Sequence, residues 1–374
     1  MVDKFDVSRD TGIYEAFPDV TLTDDGRLLC VFVETTHHAD RQYSCIVLVE
    51  SFDRGRTWSE KRQLTQPKTA TDDAFWDCPR IATLPDGRLA AIVNEVPGSL
   101  GEYGSGVTET RNYLLFSDDG RSWSDPLETP TTGIVPDQPV ELTRGEHTGR
   151  WLVTTHSPTG AGASETCWEV TTWLTDDEGD TWTGPITVAS DSELRLCEAS
   201  VLELPGGELV CILRENSGDG KDAYKAISHD GGETWKGVYR MPIPGCHRPV
   251  AGLLNDERVL ITHRFMQGGS GWLGSWTQNT FAVLTDVDSC LARERDDAHA
   301  RILPLEYDRS PNADTGYTGW IQFDDGEIYV VNYLVDDAPE TSVRRPREYR
   351  GEYDDVQKAF VRGYSLSPEE FLLE

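Results

Sequence analysis

Apolar residues recur along the chain in short runs that directly follow tight turns. Six such turns lie 50 to 69 residues apart, and each precedes an octet rich in aliphatic and β-branched residues. Four turns contain Asp-Gly or Gly-Gly, a strong hairpin signal because glycine adopts positive φ without steric cost. The octets are Arg27–Glu34, Arg88–Glu95, Arg150–Ser157, Glu208–Glu215, Arg258–Phe265 and Glu327–Leu334.

A second motif lies between these turns in the first four units. In each copy a tryptophan follows an aspartate by five positions, with a glycine between them. The carboxylate can accept backbone N–H bonds inside a tight turn, and the indole can pack between neighbouring sheets, so we assign the motif to the fold and not to chemistry. The copies are Asp53 with Trp58, Asp118 with Trp123, Asp177 with Trp182, and Asp230 with Trp235.

Six units of about sixty residues, each with four short strands, are typical of a propeller. We therefore predict an all-β fold, a six-bladed β-propeller of four-stranded antiparallel blades, as a single domain over residues 1–374. Helical periodicity is almost absent. Only Ser367–Glu374 is expected to form a short helix, because its Ser-Pro-Glu-Glu start suits a helix N-terminus.

The chain is strongly acidic, with a formal net charge of −31 from 65 acidic and 34 basic residues. This charge argues against nucleic acid and anionic membranes as partners. Because the acids are scattered, a solvated coat like that of salt-loving organisms is favoured over a site for a cationic partner. No apolar run approaches the roughly 18 residues of a membrane span, and no apolar signal region opens the chain, so we expect a cytoplasmic protein unless a signal was removed.

Neither the cysteines nor any cofactor-binding motif points to a reactive site in this sequence. Eight cysteines are scattered without a CxxC pair, and Cys30 and Cys211, at matched strand positions, are expected to be buried thiols. No HExxH motif and no phosphate-binding glycine loop is present, so neither a metal nor a cofactor is expected. The pattern leaves the oligomeric state open.

Candidate chemistry concentrates at the end of the blades opposite the hairpin turns. Counting eight residues to either side of each turn reaches that end, and charged or hydroxyl groups gather there in units four to six. Arginines on inner strands near an axis suit recognition of a carboxylate, although pairing among these Arg and Glu residues to brace the blades is the alternative. The positions before the turns are Phe17, Cys78, Val140 or Glu141, Glu198, Arg248 and Tyr317, and those after are Val33, Asn94, His156, Arg214, Arg264 and Tyr333.

At these residues the sequence resembles the sialidase (neuraminidase) superfamily, whose propellers carry Asp boxes, also called BNR repeats. Glu198 through Arg214 resembles the segment in which a glutamate opens one strand and a carboxylate-binding arginine ends the next. Tyr317 follows Gly316 as in the segment with the nucleophilic tyrosine, and Arg264 stands where the next arginine is expected.

The resemblance implies a glycoside hydrolase that removes a carboxylate-bearing sugar. Tyr317 would be the nucleophile, because a neutral phenol avoids the repulsion that a carboxylate nucleophile would meet, and Glu198 would be its base. Arg214 and Arg264 would bind the substrate carboxylate. The general acid would come from a first-blade loop in which Asp40 is the single aspartate, although Asp40 is equally consistent with a solvated loop residue.

One feature departs from the family pattern. The first-blade arginine, in an Arg-x-Pro context, matches Ala16-Phe17-Pro18 and is missing. Arg248 or Arg80 would replace it, and His156 and Tyr333 are further candidates for substrate binding. A uronic acid or another acidic sugar therefore competes with sialic acid as the substrate.

Two other functions remain open from the sequence. A polysaccharide lyase for a uronate-containing glycan would use arginine to neutralise the carboxylate and Tyr317, His156, His247 or His263 as base and acid. A non-catalytic glycan-binding propeller would stack sugars on exposed tryptophans, for which the candidates are Trp76, Trp168, Trp272 and Trp276.

Overall fold

In a computed structural model of the chain, six antiparallel β-sheets form a six-bladed β-propeller, which confirms the predicted fold class. Innermost strands of most neighbouring blades contact one another around the axis. The residues that the structure describes are 2–38, 41–97, 110–158, 168–267, 277–310, 313–335 and 358–371.

In blades one to three the strands run outward from the axis in chain order. Blade one contains β2 (Tyr14–Leu22), β3 (Leu28–Thr35), β4 (Tyr43–Ser51) and the short outer strands β5 (Arg62–Gln63) and β6 (Lys68–Thr69), which both pair with β4. Blade two contains β7 (Ala74–Thr83), β8 (Leu89–Pro97), β9 (Arg111–Ser117) and β10 (Leu127–Glu128). Blade three contains β11 (Val140–Glu141), β12 (Trp151–Pro158), β13 (Trp168–Thr175) and β14 (Thr183–Ser190).

Blades four and five follow the same order. Blade four contains β15 (Leu196–Glu203), β16 (Leu209–Glu215), β17 (Asp222–Ser228) and β18 (Lys236–Pro244). Blade five contains β19 (Cys246–Leu253), β20 (Val259–Gln267), β21 (Thr277–Thr285) and β22 (Arg301–Tyr307).

Blade six joins the two ends of the chain. Its inner strands are β23 (Thr315–Gln322), β24 (Ile328–Leu334) and β25 (Phe360–Leu366), and its outermost strand is β1 (Asp3–Ser8) from the N-terminus. The pairing of β1 with β25 places Asp3 opposite Ser365 and closes the ring with backbone hydrogen bonds. The repeat in the sequence did not reveal this closure.

Helical structure is confined to short segments. The tail forms a 3₁₀-helix over Pro368–Phe371 within the segment predicted to be helical. The prediction missed α1 (Val287–Leu291) and the 3₁₀-helices Gly145–His147 and Arg295–Asp297. Among the described residues, no helix is both long and apolar enough to cross a membrane.

The blades bury both faces of their inner strands. In β3 every residue from Leu28 to Val33 is buried, and in β16 the whole strand is buried. The seven described cysteines are free, buried thiols, as predicted for Cys30 and Cys211. Apolar residues of both faces therefore pack between neighbouring sheets, and a polar side chain on an inner strand needs a specific partner.

The Asp boxes form the tight turns that their sequence predicts, with one change. Asp177 accepts the backbone N–H of Thr181 at 2.8 Å, and the Trp182 indole donates to the Gly179 carbonyl at 3.0 Å. In blade two, however, the accepting carboxylate belongs to Asp119 and not to Asp118. The turn of blade two is one residue shorter, so the aspartate stands four positions before Trp123.

The Asp boxes lie at the same end of the blades as the hairpin turns. Arg54 of the first box forms ion pairs with Asp325 at 2.6 Å and Glu327 at 2.9 Å, both at the hairpin turn of blade six. Arg27, beside the hairpin turn of blade one, donates to the Asp119 carbonyl at 3.0 Å. The opposite ends of the inner strands are therefore left for a site.

The reassignment from Asp118 to Asp119 can be tested with adjacent substitutions. Asp119→Ala should lower the midpoint of urea unfolding, because the N–H groups of Arg121 and Ser122 lose their charged acceptor at 2.7 and 2.8 Å. Asp118→Ala, at an exposed neighbour, should leave the midpoint unchanged. Tryptophan fluorescence reports both transitions, and the reverse order of effects would return the role to Asp118.

Candidate active site

A β-bulge interrupts the innermost strand at a matched position in five blades. The strand register shifts there, and the bulged residue has a positive φ although it is not glycine, a conformation that the surrounding structure must hold in place. These residues are Phe17, Cys78, Glu198, Arg248 and Tyr317, with φ of 56°, 35°, 38°, 49° and 56°.

Blade three has the equivalent residue at Val135, with φ of 51°. The count from the turn had suggested Val140 or Glu141, which pair with Leu152 and Trp151 nearer the turn. The count was wrong because the connection of blade three includes a 3₁₀-helix and is longer. The structure therefore completes a ring of six bulges, one in each blade.

The second set of counted positions lies beside this ring. Each residue pairs across the hairpin with the residue that precedes a bulge, so both sets share one end of the propeller, as predicted. The pairs are Ala16 with Val33, Asp77 with Asn94, Ile134 with His156, Cys197 with Arg214, His247 with Arg264, and Gly316 with Tyr333.

Tyr317 and Glu198 lie in direct contact although 119 positions separate them in the sequence. The Tyr317 hydroxyl donates to Glu198 Oε1 at 2.6 Å, and Arg214 Nη1 donates to Glu198 Oε2 at 2.5 Å. The other arm of Arg214 donates to Asn216 Oδ1 at 2.7 Å. Tyr317 and Glu198 are each 7% exposed, so the site is almost enclosed.

The charges around Glu198 decide its protonation. Burial alone would raise its pKa, but Arg214 and then Arg264 outweigh that effect and lower the pKa to about 2. Burial and the adjacent Glu198 carboxylate raise the pKa of Tyr317 well above its ordinary value. In the free protein the proton of this hydrogen bond therefore stays on the phenol.

Arg264 carries buried donors that no described residue accepts. The side chain is fully buried, its Nη1 approaches the Thr315 carbonyl at 3.4 Å, and its guanidinium carbon lies 5.7 Å from the centre of the Tyr317 ring. Among the described residues, Nε and Nη2 of Arg264 and Nε of Arg214 have no hydrogen-bond partner. Unsatisfied buried guanidinium donors beside Tyr317 suit an anionic ligand.

Arg248 and Arg80 use their donors on backbone carbonyls. Arg248 donates to the carbonyls of Ala199 and Pro136, each at 3.1 Å. Arg80 donates to the Thr318 carbonyl at 2.9 Å and lies 3.4 Å from Asp19 Oδ2. The structure thus brings both arginines to the site, and each directs part of its donors to backbone carbonyls. Among the described residues, Nε of Arg248 and Nε and Nη2 of Arg80 have no hydrogen-bond partner.

The two remaining sequence candidates are also buried there. His156 Nδ1 accepts the backbone N–H of Glu198 at 3.3 Å, and burial lowers the pKa of His156 to about 4, so its imidazole is neutral. Tyr333 donates to Asp314 Oδ1 at 2.8 Å. Both therefore position or flank Glu198 and Tyr317 without carrying charge.

Sequence reasoning missed Asp314, which connects three elements. Its carboxylate accepts hydrogen bonds from Tyr333, from Tyr14, and from His38 Nδ1 at 2.6 Å. Its position in the sequence, three residues before Tyr317 in the segment that leads into the same strand, could have identified it. It also missed Asn216, the partner of Arg214, which follows β16 by one residue.

The place of the missing first-blade arginine is filled by apolar groups. Ala16 is fully buried, and the Phe17 ring lies 4.8 Å from the Tyr317 ring and 5.2 Å from the Tyr333 ring, measured between centres. Asp40 lies outside the described residues, as do Trp272 and Trp276. Trp76 is buried and donates to the Gln66 carbonyl at 2.8 Å, whereas Trp168 lies beside His156 with ring centres 5.1 Å apart.

A separate cleft lies away from Tyr317 and Glu198. A cleft of about 630 Å³ opens at blades one and two and is lined by Lys68, Glu95, Arg111 and neighbouring residues, but not by Tyr317 or Glu198. Within the described part of the chain, no three His, Cys, Asp or Glu side chains are grouped so that they could hold a metal ion.

The comparisons with known proteins agree with the propeller fold. The BNR repeat-like domain family matches residues 69–268, which is more than half of the chain. The chain belongs to this family. It is a sialidase-like BNR propeller, as its resemblance predicted.

A curated relative of this BNR propeller is the anhydrosialidase of Macrobdella decora, 33% identical over 147 residues. The match covers 36% of the chain and spans only 17% of that relative.

Solved structures share the fold over nearly the whole BNR propeller. A protein of unknown function from Dyadobacter fermentans has a TM-score of 0.72 at 22% identity and covers 98% of this chain and 99% of its own. A leech intramolecular trans-sialidase complexed with 2,7-anhydro-Neu5Ac has a TM-score of 0.66 at 15% identity, over 96% of this chain and 69% of its own. At these identities the likeness concerns the fold.

The electrostatics of the Glu198 site predict an acid dependence of stability. The unfolded chain should protonate Glu198 near the ordinary pKa of about 4.3, whereas the folded protein does so at about 2. The ionised form therefore contributes about 3 kcal/mol that is complete above about pH 5 and is lost as the pH falls towards 2. In Glu198→Gln, the free energy of unfolding should fall less steeply over this window.

Urea unfolding at several pH values between 5 and 3 measures this difference in slope. The exposed Glu60→Gln serves as the control and should follow the wild type. If Glu198→Gln also follows the wild type, Glu198 titrates as an ordinary carboxyl group.

Proposed function

We propose that this protein is a retaining exo-glycosidase that removes a carboxylate-bearing sugar. The observation that carries the proposal is the 2.6 Å hydrogen bond from Tyr317 to Glu198, formed beside buried guanidinium donors of Arg214 and Arg264 that lack acceptors among the described residues. A phenol, a carboxylate and two guanidinium groups thus lie together, and in the proposed reaction they serve as the nucleophile, its base and the groups that bind the substrate carboxylate.

In the proposed reaction Arg214 and Arg264 bind the carboxylate on the anomeric carbon. Tyr317 attacks this carbon as its proton passes to Glu198, and the bond to the leaving oxygen breaks. Water then attacks the anomeric carbon and gives one proton to the general acid that had protonated the leaving oxygen. The bond from this carbon to Tyr317 breaks, and Glu198 returns its proton to the phenolate. A neutral nucleophile suits this substrate because its carboxylate would repel an anionic one.

Substrate binding would also activate the nucleophile. In the free protein, Arg214 and Arg264 make Glu198 a weak base, since they hold its pKa at about 2. A bound carboxylate offsets both positive charges and raises the proton affinity of Glu198. Proton transfer from Tyr317 therefore becomes easier once a correctly charged substrate is in place.

We assign the general acid to Asp40, on the first-blade loop. This group would protonate the leaving oxygen, so its removal should matter most for leaving groups that are poor anions. The missing first-blade arginine leaves two guanidinium groups for the carboxylate, so the proposed substrates include uronic acids as well as sialic acids. The named sialidase relatives support the reaction class, and the apolar Ala16 and Phe17 distinguish this chain from the family pattern.

Substitution of the two central residues tests the proposal. Tyr317→Phe and Glu198→Gln should each lower the release of a fluorogenic aglycone from a sialoside or glycuronide by about 10²- to 10⁴-fold. Tyr329→Phe is the control, because Tyr329 is a buried tyrosine of the same blade whose hydroxyl donates to the Gly55 carbonyl at the Asp-box end. Its kcat should equal that of the wild type.

The assay should span low to high salt, because the net charge of −31 repels an anionic substrate and salt screens that repulsion. A wild-type protein that releases no sugar from sialosides or glycuronides at any salt concentration would refute the proposal. Trapping with a fluorinated sugar fluoride, followed by mass spectrometry, should place the covalent sugar on Tyr317. Rising ultraviolet absorbance on a uronate polysaccharide would instead identify an eliminating lyase.

A further inference from the structure

The carbonyl groups that follow three of the six bulges are bound by arginines from other blades. A bulge interrupts the strand ladder, so the adjoining carbonyl loses its regular backbone partner. The carbonyls of Pro136, Ala199 and Thr318 directly follow Val135, Glu198 and Tyr317, respectively, and each accepts a hydrogen bond from a guanidinium group.

Arg248 of blade five spans two of these bulges with one side chain. Its Nη2 reaches the Pro136 carbonyl in blade three and its Nη1 the Ala199 carbonyl in blade four, each at 3.1 Å. Asp137, next to Pro136, lies 3.8 Å from Nη1 and offsets the charge. Asp137 also accepts the backbone N–H of Val201 at 2.8 Å, so this group links blade three to blade four.

Arg80 of blade two serves the third bulge. Its Nη1 donates to the Thr318 carbonyl in blade six at 2.9 Å, and its Nε lies 3.4 Å from Asp19 of blade one. Asp19 accepts the backbone N–H of Ile81 at 2.9 Å and a bond from Gln138 at 2.7 Å. The arrangement is similar to that of Arg248. In both cases the buried aspartate near the arginine accepts a backbone N–H from the blade that follows its own.

We propose that Arg80 and Arg248 are positioning residues that set the alignment of Tyr317 with Glu198 by holding the carbonyls next to them. Tyr317 and Glu198 come from blades six and four, which no strand pairing joins directly. Both residues have a positive φ that an unsupported bulge would relax. The catalytic consequence rests on the proposed function, whereas the alignment itself does not.

The guanidinium group suits this task for geometric reasons. Its planar fork presents several donors in fixed directions, so Arg248 reaches carbonyls in two blades at once. A lysine keeps the positive charge near Asp137 or Asp19 but offers one flexible ammonium group. Lysine substitution therefore separates charge from directed hydrogen bonding.

The experiment compares Arg80→Lys and Arg248→Lys with Arg150→Lys in the full chain. Arg150 is a matched control because it is also a buried arginine that donates to a carbonyl of the next blade, Gly231, at 3.2 Å, but it lies at the Asp-box end. All three substitutions should lower the melting temperature.

Nuclear magnetic resonance of tyrosines labelled at the ring carbon that bears oxygen measures the alignment directly. The Tyr317 signal is assigned by its loss in Tyr317→Phe, and Glu198→Gln shows where it moves when the charged acceptor is removed. In Arg80→Lys and Arg248→Lys the signal should move towards the Glu198→Gln position, whereas in Arg150→Lys it should stay in place. On a substrate that the wild type cleaves, kcat should fall about 10- to 100-fold in the first two variants, with KM changed less than about threefold.

The outcomes separate the two proposals. A Tyr317 signal that stays at the wild-type position in both site variants overturns the positioning role, whatever their activity. A shifted signal together with a wild type that cleaves no acidic glycoside supports positioning and refutes the glycosidase. If one variant fails to fold, the other decides, because the two arginines hold different carbonyls.

Discussion

A buried guanidinium group needs acceptors, and the propeller supplies them where its own strand ladders are interrupted. The bulges put residues with positive φ at the end of the inner strands and leave carbonyls without regular partners. Arg80 and Arg248 satisfy those carbonyls, and Asp19 and Asp137 lie close enough to offset their charge. Backbone distortion and buried charge would each be costly alone. Together they form a polar layer that connects blades which no strand pairing joins.

Tyr317 and Glu198 depend on this layer for their positions. Their protonation states depend instead on the charges of Arg214 and Arg264. Two guanidinium groups, those of Arg214 and Arg264, act on the Glu198 carboxylate beside Tyr317, and Arg264 also acts on the carboxylate of Asp314. The two guanidinium groups keep Glu198 ionised, and some of their donors have no acceptor among the described residues. A neutral ligand would gain little from these donors and would not offset the charge that weakens Glu198 as a base. Recognition of an anion and activation of the phenol are thus the same electrostatic event in the proposed reaction.

The fold was predictable because its signals are local and repeated. The Asp-Gly turns and the Asp boxes each depend on residues within a few positions of one another. The repeating units can therefore be recognised directly in the sequence. The matched positions around Glu198, Arg248 and Tyr317 followed from the same rhythm. Counting from the turn failed in blade three because the connection there is longer. The Pro-Asp pair that follows both Phe17 and Val135 would have identified the equivalent residue. Contacts across the axis, such as Arg80 with Thr318, could not be read from spacing, since they depend on how blades two and six face each other.

The six bulges carry different kinds of side chain on the two sides of the ring, and this difference restricts the ligands that fit the site. Blades one to three contribute Phe17, Cys78 and Val135 at the bulges, whereas blades four to six contribute Glu198, Arg248 and Tyr317. Blade one, which should carry a further arginine in the family pattern, instead packs Phe17 against the Tyr317 ring. In the proposed function, an anionic group binds on the side of Arg214 and Arg264. In the proposed function, the absence of this arginine leaves one fewer donor for the carboxylate, and it also removes a polar group that a bound sugar would have to desolvate on the opposite side. A ligand with its charge at one end and an apolar face at the other fits this division better than one that is polar all round.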